Sequence, residues 1–344
     1  MINKKNNNFD LLRLLLATIV AIVHAGQLSG NIHINTISQH FNSGLAVDSF
    51  FIVSGFLIFM SYESSSSIST YFNKRIRRIL PGYLFVITFF SIILYFTSIC
   101  TFKEYFNLEF LKYILANFLT LNFIQSTLPG VFETNNVHAV NGALWTIKIE
   151  IMFYISIPFI VYFIKKIKHK YIILVSIYIL SILYSIVMLH LYNKDNNLLF
   201  LQLEKQLLGQ FAFFISGAML FYYFKYFQRY SLLLLIGAIF ILILHRYYIN
   251  IYFLYPISLA IIILYFATVF KYLGNFGRYG DLSFGIYIWH FPILQIFIYY
   301  NLFSNLAFSI PFLICIILFM SYLSWHLIEK RYLFSSSYYI KSNP

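Results

Sequence analysis

Residues 9–28, FDLLRLLLATIVAIVHAGQL, decide how the rest of the chain is read. The stretch is apolar and long enough to cross a bilayer as a helix, which takes roughly 17–25 residues. Yet it carries Arg13 near one end and His24 towards the other. Eleven positions turn a helix by about 1100°, so the two side chains differ by only ~20° in direction and stand ~16 Å apart along the axis. Ionisable groups in a spanning helix are expensive and normally face the bundle interior or a wet cavity. Taken singly, each would also fit snorkelling to its nearer interface. Polar residues on other spans tip the reading inward.

The 344 residues are 60% hydrophobic and 10% charged, with a mean hydropathy of +0.77, far outside the soluble globular range. The fold class is therefore all-α, a polytopic membrane protein. An excess of Tyr, Phe, Ile and Asn points to an AT-rich genome more than to chemistry. A net charge of +13 would suit nucleic acid, but the basic residues are dispersed among apolar spans, so topology explains them and no nucleic-acid partner is expected. Cys100 and Cys315 fall in predicted spans, with no metal or disulfide pattern. Lys4 and Lys5 before an apolar run resemble a signal peptide, but Arg13 interrupts the run and no small-residue cleavage site follows. The first helix is read as retained.

Ten spans are expected, near 9–28, 45–62, 79–100, 143–164, 171–191, 207–224, 230–246, 251–270, 281–300 and 305–328. The stretch 105–128 is apolar enough to be an eleventh, and loop charge decides against it. With ten spans and both termini cytoplasmic, the inner side holds Lys4 and Lys5, the cluster Lys74, Arg75, Arg77 and Arg78, the Lys165–Lys170 cluster, and Lys225, Arg229, Lys271, Arg278, Lys330, Arg331 and Lys341. The outer side holds only Lys103, Lys112, Lys194, Lys205 and Arg246. A crossing at 105–128 would put the Lys165–Lys170 cluster outside, so the segment is expected to be re-entrant or interfacial. The whole chain, 1–344, reads as one membrane-embedded domain with no soluble domain attached.

Several polar residues recur at comparable depth. Asp48, in GLAVDSFFIVSGFLI, sits one turn inside the second span, where it could serve the helix dipole or share a site with His24. Ser54 and Gly55 beside it suit close helix packing. Arg75 and Arg78 lie three apart on one face beside the bilayer, either as a topology determinant or as two guanidinium forks for a phosphate-bearing donor such as coenzyme A. Glu150, in GALWTIKIEIMFY, is about two turns into the fourth span and needs a partner. Lys148, two positions away, faces elsewhere, so a pair with His24 is the alternative to a structural role. Trp145 lies near the outer interface. His290 falls mid-span just before Pro292, which frees a carbonyl one turn earlier. His33, His40, His138, His169, His190, His245 and His326 receive no role, and no metal site is expected.

Taken together, these stretches resemble the acyltransferase 3 family of integral membrane acyltransferases, over residues 9–331. The resemblance rests on Arg13-x10-His24, Val47-Asp48-x-Phe50-Phe51-x-x-Ser54-Gly55-Phe56 and Arg75-x-x-Arg78-Ile79-x-Pro81-x-Tyr83. It continues through Trp145-x4-Glu150-x-x-Phe153-Tyr154, Ser283-x-Gly285-x-Tyr287-x-x-His290-x-Pro292 and Ile328-Glu329-Lys330. It implies about ten spans, a bacterial inner-membrane location, and transfer of an acyl group, often acetyl, from cytoplasmic acyl-CoA to an extracytoplasmic glycan. Catalytic positions carry over to His24, Asp48 and Glu150, and donor binding to Arg13, Arg75 and Arg78. Trp145, Lys148 and His290 are candidates for binding the acceptor. Leu14, Ala46, Lys148 and Ile151 depart from the usual pattern, and Lys148 adds a cation near the expected site. No SGNH-type esterase domain is expected after the last span.

On this reading His24 is the general base, since imidazole titrates near neutrality, and Asp48 or Glu150 orients its other nitrogen. Arg75 and Arg78 hold coenzyme A phosphates at the inner mouth, with Arg13 lining the route upward. Acyl-CoA, most simply acetyl-CoA, is then a substrate, and no permanently bound cofactor is needed. The acceptor would be a surface polysaccharide such as O-antigen or capsule, or its lipid-linked precursor. A proton-coupled glycan or lipid transporter and a non-catalytic subunit of a polysaccharide assembly system are the competing classes. The absence of an inverted repeat weighs against the transporter.

Overall fold

The computed structural model describes residues 7–167, 169–249, 251–278 and 280–334, and every ordered element among them is helical. Lys4, Lys5, Lys168 and Lys341 of the expected inner charge lie outside the described residues. Among the described residues, eight segments are long and apolar enough to cross a membrane: Phe9–Ser29, Ser43–Glu63, Ile68–Thr97, Gly142–Lys166, Tyr171–Asp195, Leu198–Tyr222, Leu282–Tyr299 and Leu306–Tyr332. Two shorter apolar helices, Ser231–Tyr247 and Tyr252–Thr268, occupy the seventh and eighth expected spans. Many large apolar side chains point outward along these helices, among them Phe159, Leu180, Phe240 and Phe319. In water they would be a liability, and in lipid they meet a matching solvent. The protein is a polytopic membrane protein.

The ten apolar helices are α1 (Phe9–Ser29), α2 (Ser43–Glu63), α3 (Ile68–Ile93), α4 (Trp145–Lys166), α5 (Lys170–Asp195), α6 (Leu207–Tyr222), α7 (Ser231–Tyr247), α8 (Tyr255–Thr268), α9 (Leu282–Tyr299) and α10 (Leu306–Leu323). Asp10 lies in the first turn of α1, where a carboxylate complements the helix dipole, and Gly30 at φ 64° ends it. The start of α3 differs from expectation. The span is expected from residue 79, whereas the helix begins at Ile68 and includes Arg75, Arg77 and Arg78, with Arg75 and Arg78 on one helical face as their spacing predicts. Arginine and lysine are good helix formers, and Pro81 does not stop the helix.

Within the stretch 105–128, expected to be re-entrant or interfacial, the longest helix, preceded by the short helix Phe102–Tyr105, is Leu108–Phe118, which is 11 residues. At 1.5 Å per residue that is about 16 Å, half of a ~30 Å hydrocarbon core. It stops at Thr120, whose φ of 61° is left-handed, with the Leu121 amide bonded to the Ala116 carbonyl at 2.7 Å. Asn117 then holds the return: its amide donates to the carbonyls of Tyr113 and Gln125, and the Tyr83 hydroxyl donates to the Asn117 carbonyl.

The chain divides into two compact units, the first comprising Met1–Leu12, Val47–Phe72 and Ile149–Gly274, the second Arg13–Ala46, Asn73–Lys148 and Asn275–Pro344. In the first, α2 and α6 meet backbone to backbone. A Cβ on Gly55 would strike the Phe214 carbonyl, and one on Gly217 would strike the Ile52 carbonyl, so the pair needs glycine at both places. Phe153 of α4 stacks on Phe214 with ring centroids 4.1 Å apart. Buried Asn8 ties the start of α1 to the end of α8, donating to the carbonyls of Phe266 and Lys271 and accepting from the Leu273 amide.

In the second unit α9 is the internal post. Of its residues 72% are buried, against 22–56% for the other seven span-length segments. Trp289 packs among Phe85, Phe89 and Phe90 of α3 at 5.1–5.8 Å. Pro292 cannot donate to the Ile288 carbonyl four residues earlier, and the Asn141 side-chain amide donates to it instead at 2.9 Å. Gln295 donates to the Ala139 carbonyl and accepts from the Asn135 amide, so the loop before α4 is stapled along α9.

Candidate active site

Two polar centres are built in the second unit. The first is at the start of α9, where Asp281 is the N-cap. Its Oδ1 accepts from the Ser283 amide at 3.1 Å and from the Ser283 hydroxyl. Its Oδ2 accepts from Arg13 of α1 at 3.0 Å and from Arg78 of α3. The Asp281 side chain is only 2% exposed and its two arginine partners 19% and 16%, so Coulomb attraction within the cluster is less screened than at an exposed surface. Arg78 also lies over the Trp325 ring, 5.7 Å from its centroid. Trp325 belongs to the π-helical turn Ser324–Glu329 that follows α10. Glu329 in that turn is 1% exposed, accepts from the Ser324 hydroxyl at 2.9 Å and lies within the field of Arg78. Gly82 leaves the room, since a Cβ there would come within 3.1 Å of the Glu329 side chain.

The sequence marks Arg13 and Arg78 but not the carboxylate that joins them. Asp281 reads as an ordinary cap in GDLS, and Glu329 stood only as part of a terminal motif. Arg75, one turn earlier on α3, is half-buried, and Arg77 points to the other face, over the Phe334 ring and towards the Tyr332 carbonyl.

The second centre joins α1 to the middle of α9. His24 Nδ1 and His290 Nε2 are 2.8 Å apart, with the two rings 16° from parallel. His290 is fully buried, and its Nδ1 lies 3.0 Å from the Ile286 carbonyl oxygen. Phe291 sets its edge against the His24 ring at 5.4 Å, and a Cβ on Gly142 would collide with Phe291. Tyr287, one turn before Phe291, shares a 2.6 Å hydrogen bond with Thr146 and donates to the Ala143 carbonyl. The nitrogen of His24 for which the sequence suggests a carboxylate thus carries an imidazole. Among the described residues His24 Nε2 makes no hydrogen bond. Lys148 sets its Nζ 4.6 Å from the Phe123 ring centroid, and Trp145 is half-buried at the start of α4.

Asp48 and Glu150 belong to the first unit. Glu150 accepts from the Ser54 hydroxyl at 3.3 Å and from the Tyr154 hydroxyl one turn along α4. Asp48, half-buried, lies within the electrostatic reach of Glu204, Tyr252 and Tyr255. Ser54, read as a packing residue, is therefore also a hydrogen-bond donor.

A family profile described as an acyltransferase domain matches residues 6–329. The chain is 29% identical over 343 residues to an O-acetyl transferase of Shigella phage Sf6, covering 97% of this chain and 98% of that relative. It is 30% identical over 161 residues to nodulation protein 10 of Rhizobium leguminosarum bv. viciae, covering 44% of this chain and 43% of that protein. No solved structure matches it. With half-buried arginines and a histidine pair held by apolar helices, and with a family match running nearly end to end, the chain belongs to the acyltransferase 3 family of membrane-bound O-acyltransferases.

Proposed function

We propose that the protein transfers an acyl group, most simply acetyl, from cytoplasmic acyl-CoA to a hydroxyl of a lipid-linked or exported surface glycan of the O-antigen or capsule class. The relative that is an O-acetyl transferase over its whole length supports acetyl as the group moved. The observation that carries the chemistry is His24, an imidazole on a membrane helix with one nitrogen engaged by His290. Its Nε2 lone pair removes the acceptor hydroxyl proton as the oxygen attacks the thioester carbonyl. The tetrahedral intermediate collapses by breaking the C–S bond, and the leaving thiolate takes the proton back from Nε2. Arg13, Arg75 and Arg78 supply cationic donors for the phosphates of the acyl-CoA. Asp48 and Glu150, on their motif positions, are proposed to supply negative charge to the same reaction.

Ten spans with both termini cytoplasmic, 105–128 on the outer side and a bacterial inner membrane complete the reading. The test is mass spectrometry of surface glycan from a deletion strain complemented with wild type or His24→Ala. An acetyl-sized mass loss on deletion, restored by wild type and not by a normally expressed His24→Ala, is expected. Restoration by His24→Ala would remove His24 as the base. A change in glycan amount without a change in acylation would instead favour transport or assembly.

A further inference from the structure

The hydrogen-bond chain through the histidine pair has only one consistent arrangement of protons when both rings are neutral. A backbone carbonyl has no proton to give, so the 3.0 Å contact to the Ile286 oxygen requires the proton of His290 to be on Nδ1. His290 Nε2 is then a lone pair and accepts. Its partner 2.8 Å away, His24 Nδ1, must be the donor and must carry the proton of its own ring. A neutral imidazole has one proton, so His24 Nε2 is left as a lone pair.

We propose that His290 is a positioning residue that fixes His24 in the Nδ1–H tautomer, so that Nε2 is the basic nitrogen. The inference deepens the assignment of His24 as base and rests on it. Four features hold the selector itself. His290 is fully buried, its ring is pinned to its own helix one turn back, and Trp289 beside it is wedged among three phenylalanines of α3. The Ile288 carbonyl that Pro292 leaves without an amide is taken by Asn141, which keeps α9 ordered on both sides of the ring. When Nε2 takes the acceptor proton, His24 carries protons on both nitrogens and its Nδ1–H still donates to His290. When Nε2 gives that proton to the leaving thiolate, the same neutral tautomer returns. A carboxylate in this place would stabilise the imidazolium by charge, whereas His290 stabilises it by a hydrogen bond alone.

The test is 15N NMR of wild-type protein with [15N]histidine in lipid nanodiscs, with His24→Ala used to assign the His24 signals. A His24 ring protonated on Nδ1, with an unprotonated Nε2, is the expected result. A ring protonated on Nε2 would overturn the proposal whatever the activity of the protein. In transfer assays His290→Phe, which fills the space without accepting a bond, is expected to lower kcat at least about 100-fold with KM for the donor little changed. His290→Gln, whose amide oxygen reaches the position of Nε2, is expected to return kcat to within about tenfold of wild type. Equal kcat for the Phe and wild-type proteins would overturn the selector role, and activity in His24→Ala would overturn the base and leave the tautomer result standing.

Discussion

One oxygen of Asp281 serves two guanidinium groups, and both should feel its removal. Taking one partner out of a buried ion cluster costs about 3–5 kcal/mol, because charge is left without compensation. Asp281→Asn separates that loss from the capping role, since asparagine caps a helix about as well as aspartate. We expect Asp281→Asn to unfold in detergent at a clearly lower temperature than wild type, and Asp281→Ala to lose about 1 kcal/mol more with the cap to Ser283. An Asn variant as stable as wild type would mean that the carboxylate does not hold Arg13 and Arg78 together. Sequence alone marks the two arginines because cations inside spans are conspicuous. It does not mark Asp281, which sits at a helix start where aspartate is common. His290 is a milder version of the same problem. Its burial is evident from its apolar surroundings, but which residue it meets depends on how α1 and α9 rotate.

At the scale of elements, two prolines repeat one pattern. Pro292 deprives the Ile288 carbonyl of its usual donor, and Asn141 supplies another. Pro158 does the same to the Tyr154 carbonyl, which accepts from the buried Tyr71 hydroxyl at 3.1 Å. A buried carbonyl left unmade costs about 1–3 kcal/mol. Asn141→Ala is therefore expected to destabilise by about that amount, and by clearly less in a Pro292→Ala background, where the backbone amide is restored. Equal losses in both backgrounds, measured by chemical denaturation in micelles, would show that Asn141 acts some other way. The sequence reading anticipates the freed carbonyl at Pro292, since that follows from the ring of proline itself. The partner, 147 residues away in an irregular loop, has no periodicity to betray it.

For the whole molecule, charge placement predicts which loops face the cytoplasm, and the short helix Leu108–Phe118 agrees with a segment that does not cross. In a protein carrying Cys100→Ser and Cys315→Ser, a single cysteine at Lys103 should react with a membrane-impermeant thiol reagent in intact cells. One at Lys166 should react only after permeabilisation, and both side chains are exposed. Early labelling of the Lys166 site would mean that 105–128 crosses after all. Composition and the ten apolar stretches make the architecture readable, because lipid rewards length and hydropathy directly. The third helix starts earlier than hydropathy suggests because basic residues end an apolar run without ending a helix.

His24 and His290 are 266 positions apart. During synthesis the proposed base is inserted with the first helix, while the histidine proposed to select its tautomer emerges with the ninth. Until then the imidazole is free to carry its proton on either nitrogen. Nascent or prematurely terminated chains thus contain His24, Arg75 and Arg78, the proposed base and phosphate donors, without the His24–His290 contact. A cell that stalls this protein mid-translation leaves in its membrane a fragment unable to spend thioester.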